Sequence, residues 1–140
     1  MPLSFRATES LHFQNAAGEL FYHPSGYVRL AWSAERLSLA ELQAIYDQAL
    51  QLMRDKDTGK LLSEHGQRAP LVAAAQAWLT GDWIPRAVAQ VGLRYCAIVE
   101  GQNPLHRLST HSVVTATRDE VVFRQFATVQ EAHAWLISLD

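Results

Sequence analysis

Six histidines and one cysteine are the side chains of this chain best suited to ligating a metal or attacking a substrate, and their spacing argues against both. His106 and His111 stand five apart, whereas two imidazoles on one helix share a face only at three- or four-residue spacing. His12 and His23 fall in neighbouring strand candidates and can face each other across a hairpin. No carboxylate or thiol joins them at a ligand-set spacing. Cys96 lies inside the apolar run Tyr95–Val99, where a thiol packs rather than reacts. No glycine-rich phosphate loop, Ser-His-Asp order or paired-carboxylate motif is present. The expectation is a protein with no metal, no cofactor and no catalytic set, and so not an enzyme.

Two other groups of residues can bind without reacting. Glu64, His65 and Arg68 follow a strand candidate, and open α/β sheets place ligands beyond strand C-termini. With Trp83 and Arg86 from the segment 81–86, read as a second exposed loop, they form a candidate docking surface. Tryptophan and arginine are the commonest interface anchors, and Trp83 is expected to be partly exposed. The partner is then another protein or a second copy of this chain, giving a homodimer. The alternative is an apolar ligand or lipid held between the first helix and residues 70–90, against Leu42, Ile45, Tyr46, Leu71, Trp78 and Ile84. Side chains at such helical spacing ordinarily close on one another at crystal-like density, so a gap of roughly 300 Å³ is the deciding observation. Trp32, Trp78 and Trp135 read as core anchors.

The elements that position these residues are legible. Residues 11–14, 19–23 and 27–33 are strand candidates separated by Asn15-Ala-Ala-Gly18 and Pro24-Ser-Gly26, which makes an antiparallel meander. In the third, Val28, Leu30 and Trp32 alternate with Tyr27, Arg29, Ala31 and Ser33, implying one buried and one wetter face. Ser38 and Glu41 form a capping box ahead of a helix whose apolar positions include Leu42, Ile45, Tyr46, Ala49, Leu52 and Met53. Arg54, Lys56 and Gly59 suit its C-terminus. Residues 60–63 are a short strand. Pro70 opens a helix with Leu71, Val72, Ala75, Trp78 and Leu79 inward. Asp82 and Pro85 start another, stopped by Gly92. Residues 95–99 form a doubly covered strand, 105–116 a helix and 121–126 a strand. A second capping box, Thr128 with Glu131, starts a last helix with Ala132, Trp135, Leu136 and Leu139 inward.

Bulk properties set the frame. A chain of 140 residues with 49% hydrophobic and 19% charged residues is a single globular domain with a core of its own. A net charge of −2 gives no general attraction to nucleic acid or anionic membrane. One cysteine excludes an internal disulfide and fits a reducing cytoplasm. No apolar run is long enough to insert in a membrane, and the first ten residues carry no signal-peptide core. Strands first, then helix and strand in alternation, predict an α/β fold with a mixed central sheet flanked by about four helices.

That order of elements resembles the SpoIIAA-like, or STAS, family over residues 10–140, with 1–9 as a lead-in. Leu30-Ala-Trp32 before a capped helix looks like the family's strand entering its first helix. Lys60-Leu-Leu62 before a loop and helix resembles its central strand and switch loop. Phe126 with Ala132, Trp135 and Leu136 looks like its closing strand and Ala-x-x-Trp-Leu helix. The resemblance implies a non-catalytic regulatory or interaction module of an uncharacterised bacterial branch. Members that regulate anti-sigma kinases carry a phosphorylated Asp-Ser pair after the central strand. Here Ser63-Glu64-His65-Gly66 stands in that place, so the phospho-switch is not implied, and Ser63 reads as structural.

Overall fold

The computed structural model describes residues 9–33, 38–66, 70–101, 104–117 and 119–139. Its strands are β1 (Ser10–Asn15), β2 (Gly18–His23), β3 (Tyr27–Trp32), β4 (Lys60–Glu64), β5 (Tyr95–Val99) and β6 (Val122–Phe126). They form one sheet in strictly sequential order, β1-β2-β3-β4-β5-β6. The first two pairings are antiparallel and the last three parallel, so the meander and the mixed sheet are both as expected. Residues 60–63 lie in the middle of the sheet, between β3 and β5.

The helices are α1 (Leu39–Lys56), α2 (Ala73–Trp78), α3 (Ile84–Val91), α4 (Pro104–Thr117) and α5 (Val129–Ile137), with a π-helical turn over Leu79–Trp83 joining α2 to α3. Both capping boxes form: Ser38 Oγ accepts from the Glu41 amide, and Thr128 Oγ1 from that of Glu131. Gly92 adopts the left-handed stop at φ 67°. The stop of α1 differs from the expectation. Asp57, at φ 52°, makes the left-handed cap in place of Gly59. Gly59 is needed for another reason. A Cβ there would stand 2.2 Å from the Gly92 carbonyl oxygen, because the starts of β4 and β5 are pressed together at this point.

Register divides the sheet into two faces. Val28, Leu61, Cys96 and Phe123 align on one, with Leu30, Ser63 and Ile98 beside them. This face carries the main core, completed by Leu42, Ile45 and Ala49 of α1, Leu79, Trp83 and Ala87 of the α2–α3 segment, and Val113 of α4. Tyr27, Leu62, Ala97 and Val99 lie on the other face, under Val129, Ala132 and Leu136 of α5. The second face of β3 is not wet, contrary to what alternation implies: Tyr27 and Arg29 are both buried. Two further corrections concern residues 70–83. The helix starts at Ala73, not Pro70, which leaves Val72 exposed. Asp82 caps nothing, because the chain stays helical through it, and its carboxylate instead accepts from Arg86 at 3.0 Å.

A Gly59→Ala substitution is expected to lower stability by about 2 kcal/mol or more, since backbone must move to admit the methyl group. Gly81→Ala, where a Cβ meets nothing within 4 Å, should be neutral or stabilising by up to about 1 kcal/mol. Urea melts of the two variants check both signs.

Candidate functional site

Between the main sheet face and the helices lies an apolar cavity of about 50 Å³. Its floor is the inward row of β4 and β5, from Leu93 and Cys96 to Ser63 and His65 at the C-terminal end of β4. Its roof is Leu79 and Trp83 of the π-helical turn, with Thr110, Val113 and Val114 of α4. Of the six side chains expected to line an apolar pocket, Tyr46, Leu71 and Ile84 do so. Leu42 and Ile45 are buried elsewhere in the core, and Trp78 is half-buried behind Tyr46. The volume falls well short of the roughly 300 Å³ set as deciding, so the gap expected for a lipid or drug-sized ligand is not there and only a much smaller molecule has room. It accommodates about four water-sized groups.

Tyr46 organises one wall. Trp32, Trp78 and Trp83 converge on its ring at centroid distances of 5.1, 5.9 and 4.8 Å. Tilted and edge-on contacts of this kind stabilise by about 0.5–1.5 kcal/mol each beyond simple burial. Two of the indole donors are spent within this wall: Trp83 Nε1 donates to the Tyr46 carbonyl oxygen at 2.8 Å, and Trp32 Nε1 to Ser63 Oγ at 3.0 Å. Ser63 is thus tied down as an acceptor at the polar end of the cavity. Trp83 is only 1% exposed, which corrects the expectation of a partly exposed anchor. The π-helical turn carries it inward.

The polar end has a second layer. His65 and His106 are both buried and meet edge to face, with ring centroids 4.6 Å apart. Gly101 permits this approach, since a Cβ there would lie 3.3 Å from His65 Cβ and 3.5 Å from His106 Nδ1. The exposed loop expected at His65 does not form. Its amide instead extends the sheet by donating to the Val99 carbonyl at 3.1 Å, which turns the ring into the core. His106 enters the sequence argument only as a partner for His111, which is exposed. Its place beside Thr110, Val113 and Thr117, at i+4, i+7 and i+11 on the buried stripe of α4, is the signal in the sequence that marks it as a core residue.

Burial pushes the Cys96 thiol up to about 12, consistent with inert packing. Among the described residues no group of three or more His, Cys, Asp or Glu side chains is placed to hold a metal ion.

The expected docking residues are not brought together as one surface. Arg68 lies outside the described residues. Glu64 accepts from Arg29 Nη1 at 2.5 Å, and Arg29 is held from its other edge by Glu9, with Nε and Nη2 at 2.8 and 3.0 Å. Glu9, expected in the lead-in, is therefore packed. Arg29 also stacks over Phe21 at 4.4 Å. These residues line a cleft of about 310 Å³ on the sheet face opposite the cavity. Arg86 is half-buried at the α3 surface, bridging Asp47 and Asp82. No protein-family model, no curated protein and no solved structure matches this chain.

Truncating Trp83 to Ala is expected to cost about 3–5 kcal/mol, as for other large core side chains. Arg86→Ala should cost no more than about 1 kcal/mol, because its ion pairs are solvated. Denaturant midpoints compared at a common slope would separate the core residue from the surface one.

Proposed function

We propose that this protein is a non-catalytic, SpoIIAA-like regulatory domain that holds a small apolar molecule in the cavity beneath Trp83. The observation that carries the reading is the cavity itself: an apolar chamber with a few polar groups gathered at one end, beside the C-terminal ends of parallel strands. The roof supports it too. π-helical turns recur at functional sites, and here one supplies both Leu79 and Trp83. The order of elements along the chain, three strands and then helix and strand in alternation, is the order on which the family resemblance rests. No helix among the described residues is long and apolar enough to cross a membrane.

Docking to a partner protein or to a second copy is a further reading, favoured by one surface feature. Leu105 and Leu108 of α4 are exposed, next to exposed Val72, where the Leu71 amide donates to Ser109 Oγ at 3.2 Å. Light scattering of the native protein and of Leu108→Glu addresses that reading separately. A mass that stays monomeric in both removes the second copy as the occupant of this surface.

Native mass spectrometry of freshly purified protein, followed by methyl NMR under xenon pressure, tests the cavity reading. Xenon is expected to shift the methyl signals of Leu79, Ile98 and Val113 selectively. Val113→Leu, which fills part of the chamber and replaces a β-branched residue by a better helix former, should fold normally and lose the response. A chamber that takes up neither a carried molecule nor xenon would overturn the proposal.

A further inference from the structure

The sheet ends in two edges, and they differ. β1 carries a register shift between Leu11 and Phe13, a bulge of the kind that spoils an edge for further pairing. β6 runs in unbroken register against β5 from Val122 to Phe126, with no proline, glycine or lysine in it. The Val122 amide donates to the Arg94 carbonyl and the Phe126 carbonyl accepts from the Glu100 amide, so Val122, Arg124 and Phe126 turn their backbone groups toward β5. Strand alternation turns the N–H and C=O of Phe123 and Gln125 the other way, and no described strand takes them up.

The side chains along this edge carry a pattern. Glu120, just ahead of the strand, Val122 and Arg124 stand at two-residue steps and are all exposed, Val122 by 50%. An extended chain puts such a series on one face. Among the described residues neither Glu120 nor Arg124 has an ion-pair partner. The Arg124 guanidinium overlies Phe126, 5.6 Å from its ring centre. An arginine on an open edge by itself deters pairing, but here a carboxylate stands at the matching distance on the other side of Val122. Opposite charges flanking an apolar residue make a sequence complementary to its own reverse.

We propose that β6 is a dimerisation edge: two copies pair their β6 strands antiparallel about a two-fold axis at Val122, joining two six-stranded sheets into one. Val122 then lies against its own copy, and Glu120 of each chain lies opposite Arg124 of the other. Opposed residues of an antiparallel pair share a face, so the axis falls at a residue and not between two. An axis at Arg124 sets two guanidinium groups side by side, and one at Phe123 sets each charge opposite an apolar side chain. Only the axis at Val122 sets Glu120 against Arg124, and it also lets the Phe123 amide donate to the Val121 carbonyl of the other copy. A five-residue strand pair is a small interface, in the class below about 1,200 Å² where complexes are transient, so the dimer depends on concentration. The proposal does not rest on the cavity beneath Trp83.

Sedimentation velocity in low salt, from about 10 μM to about 1 mM protein, tests it. Wild type is expected to pass from monomer to dimer and no further, and to dissociate as salt is raised. Arg124→Glu, which sets glutamate against glutamate twice, should raise the dissociation constant about tenfold or more. The double variant Glu120→Arg with Arg124→Glu restores both pairs in reverse and should dimerise as wild type does. Leu108→Glu should change nothing. In amide exchange over the same concentrations Phe123 should gain protection, whereas Val122, already bonded to Arg94, should not. All the substituted positions are exposed, and circular dichroism establishes that each variant is folded. A monomer throughout, a dimer that Arg124→Glu leaves intact, or a folded double variant that stays weakened would overturn the proposal. Assemblies that grow past the dimer would overturn it too, in favour of head-to-tail pairing of β6 with β1.

Discussion

From β3 onward the strands enter the sheet in the order in which they are made, each parallel to the last. Parallel neighbours require crossover connections, and crossovers of one hand that advance in one direction put every connecting helix on the same side. That constraint fixes the rest. The connecting helices α1, the α2–α3 segment and α4 crowd one face and enclose the larger core there. Among the described residues only α5, which returns after the last strand, covers the other face, and it reaches only part of it. The uncovered part, toward β2 and β3, is closed by other means: Glu9 and Glu64 hold the Arg29 guanidinium against Phe21. A buried arginine between carboxylates adds little net stability compared with an apolar core, but it fixes geometry at a place where no helix among the described residues does.

The roof of the main core shows how a local conflict is resolved. A proline inside a helix clashes with the carbonyl four residues earlier, which for Pro85 is that of Gly81. Two outcomes are open: end one helix and begin another at the proline, or widen the turn before it. The pattern Asp82 with Pro85 suggests the first. The chain takes the second, and the Ile84 amide reaches back five residues to the Leu79 carbonyl. An inserted residue rotates the helix beyond it, so Trp83 points at Tyr46 and not into solvent. The indole hydrogen bond to the Tyr46 carbonyl and the ring contacts over Tyr46 select this outcome. They are tertiary contacts, invisible to local pattern.

That distinction separates the legible features from the hidden ones. Helix starts at Ser38 and Thr128, the stop at Gly92, the meander turns and the strand at Tyr95–Val99 each follow from residues a few positions apart, and each is legible in the sequence. The fates of Arg29, His65 and Trp83 depend on pairings 20 to 41 residues away, with Glu9, His106 and Tyr46. Polar residues next to a glycine or at a strand end look like loop from sequence alone. His65 does so until its amide is seen to continue the β4–β5 ladder. For the candidate site, the apolar lining is half legible, through Tyr46, Leu71 and Ile84. The floor comes from strands whose sequence marks them only as core.

The chamber's persistence has a physical cause as well as a cost. Its walls cannot easily relax inward: Ile98, Val113 and Val114 are β-branched and stiff at χ1, the floor is pinned by strand register, and Trp83 is anchored by its indole. At about 24 cal/mol per Å³, an unfilled space of about 50 Å³ forfeits about 1 kcal/mol. An unsatisfied buried hydroxyl at Thr110 forfeits about 1–3 kcal/mol more. Both losses are set against a net stability of only about 5–15 kcal/mol for a domain of this kind. Valine at position 110 together with one added methylene at Val113 would recover much of both without disturbing the fold. Stability alone therefore favours a sequence other than this one at these two positions. The void is kept open where one added methylene would fill it, and a guest of matching shape recovers the lost contacts with no change of sequence.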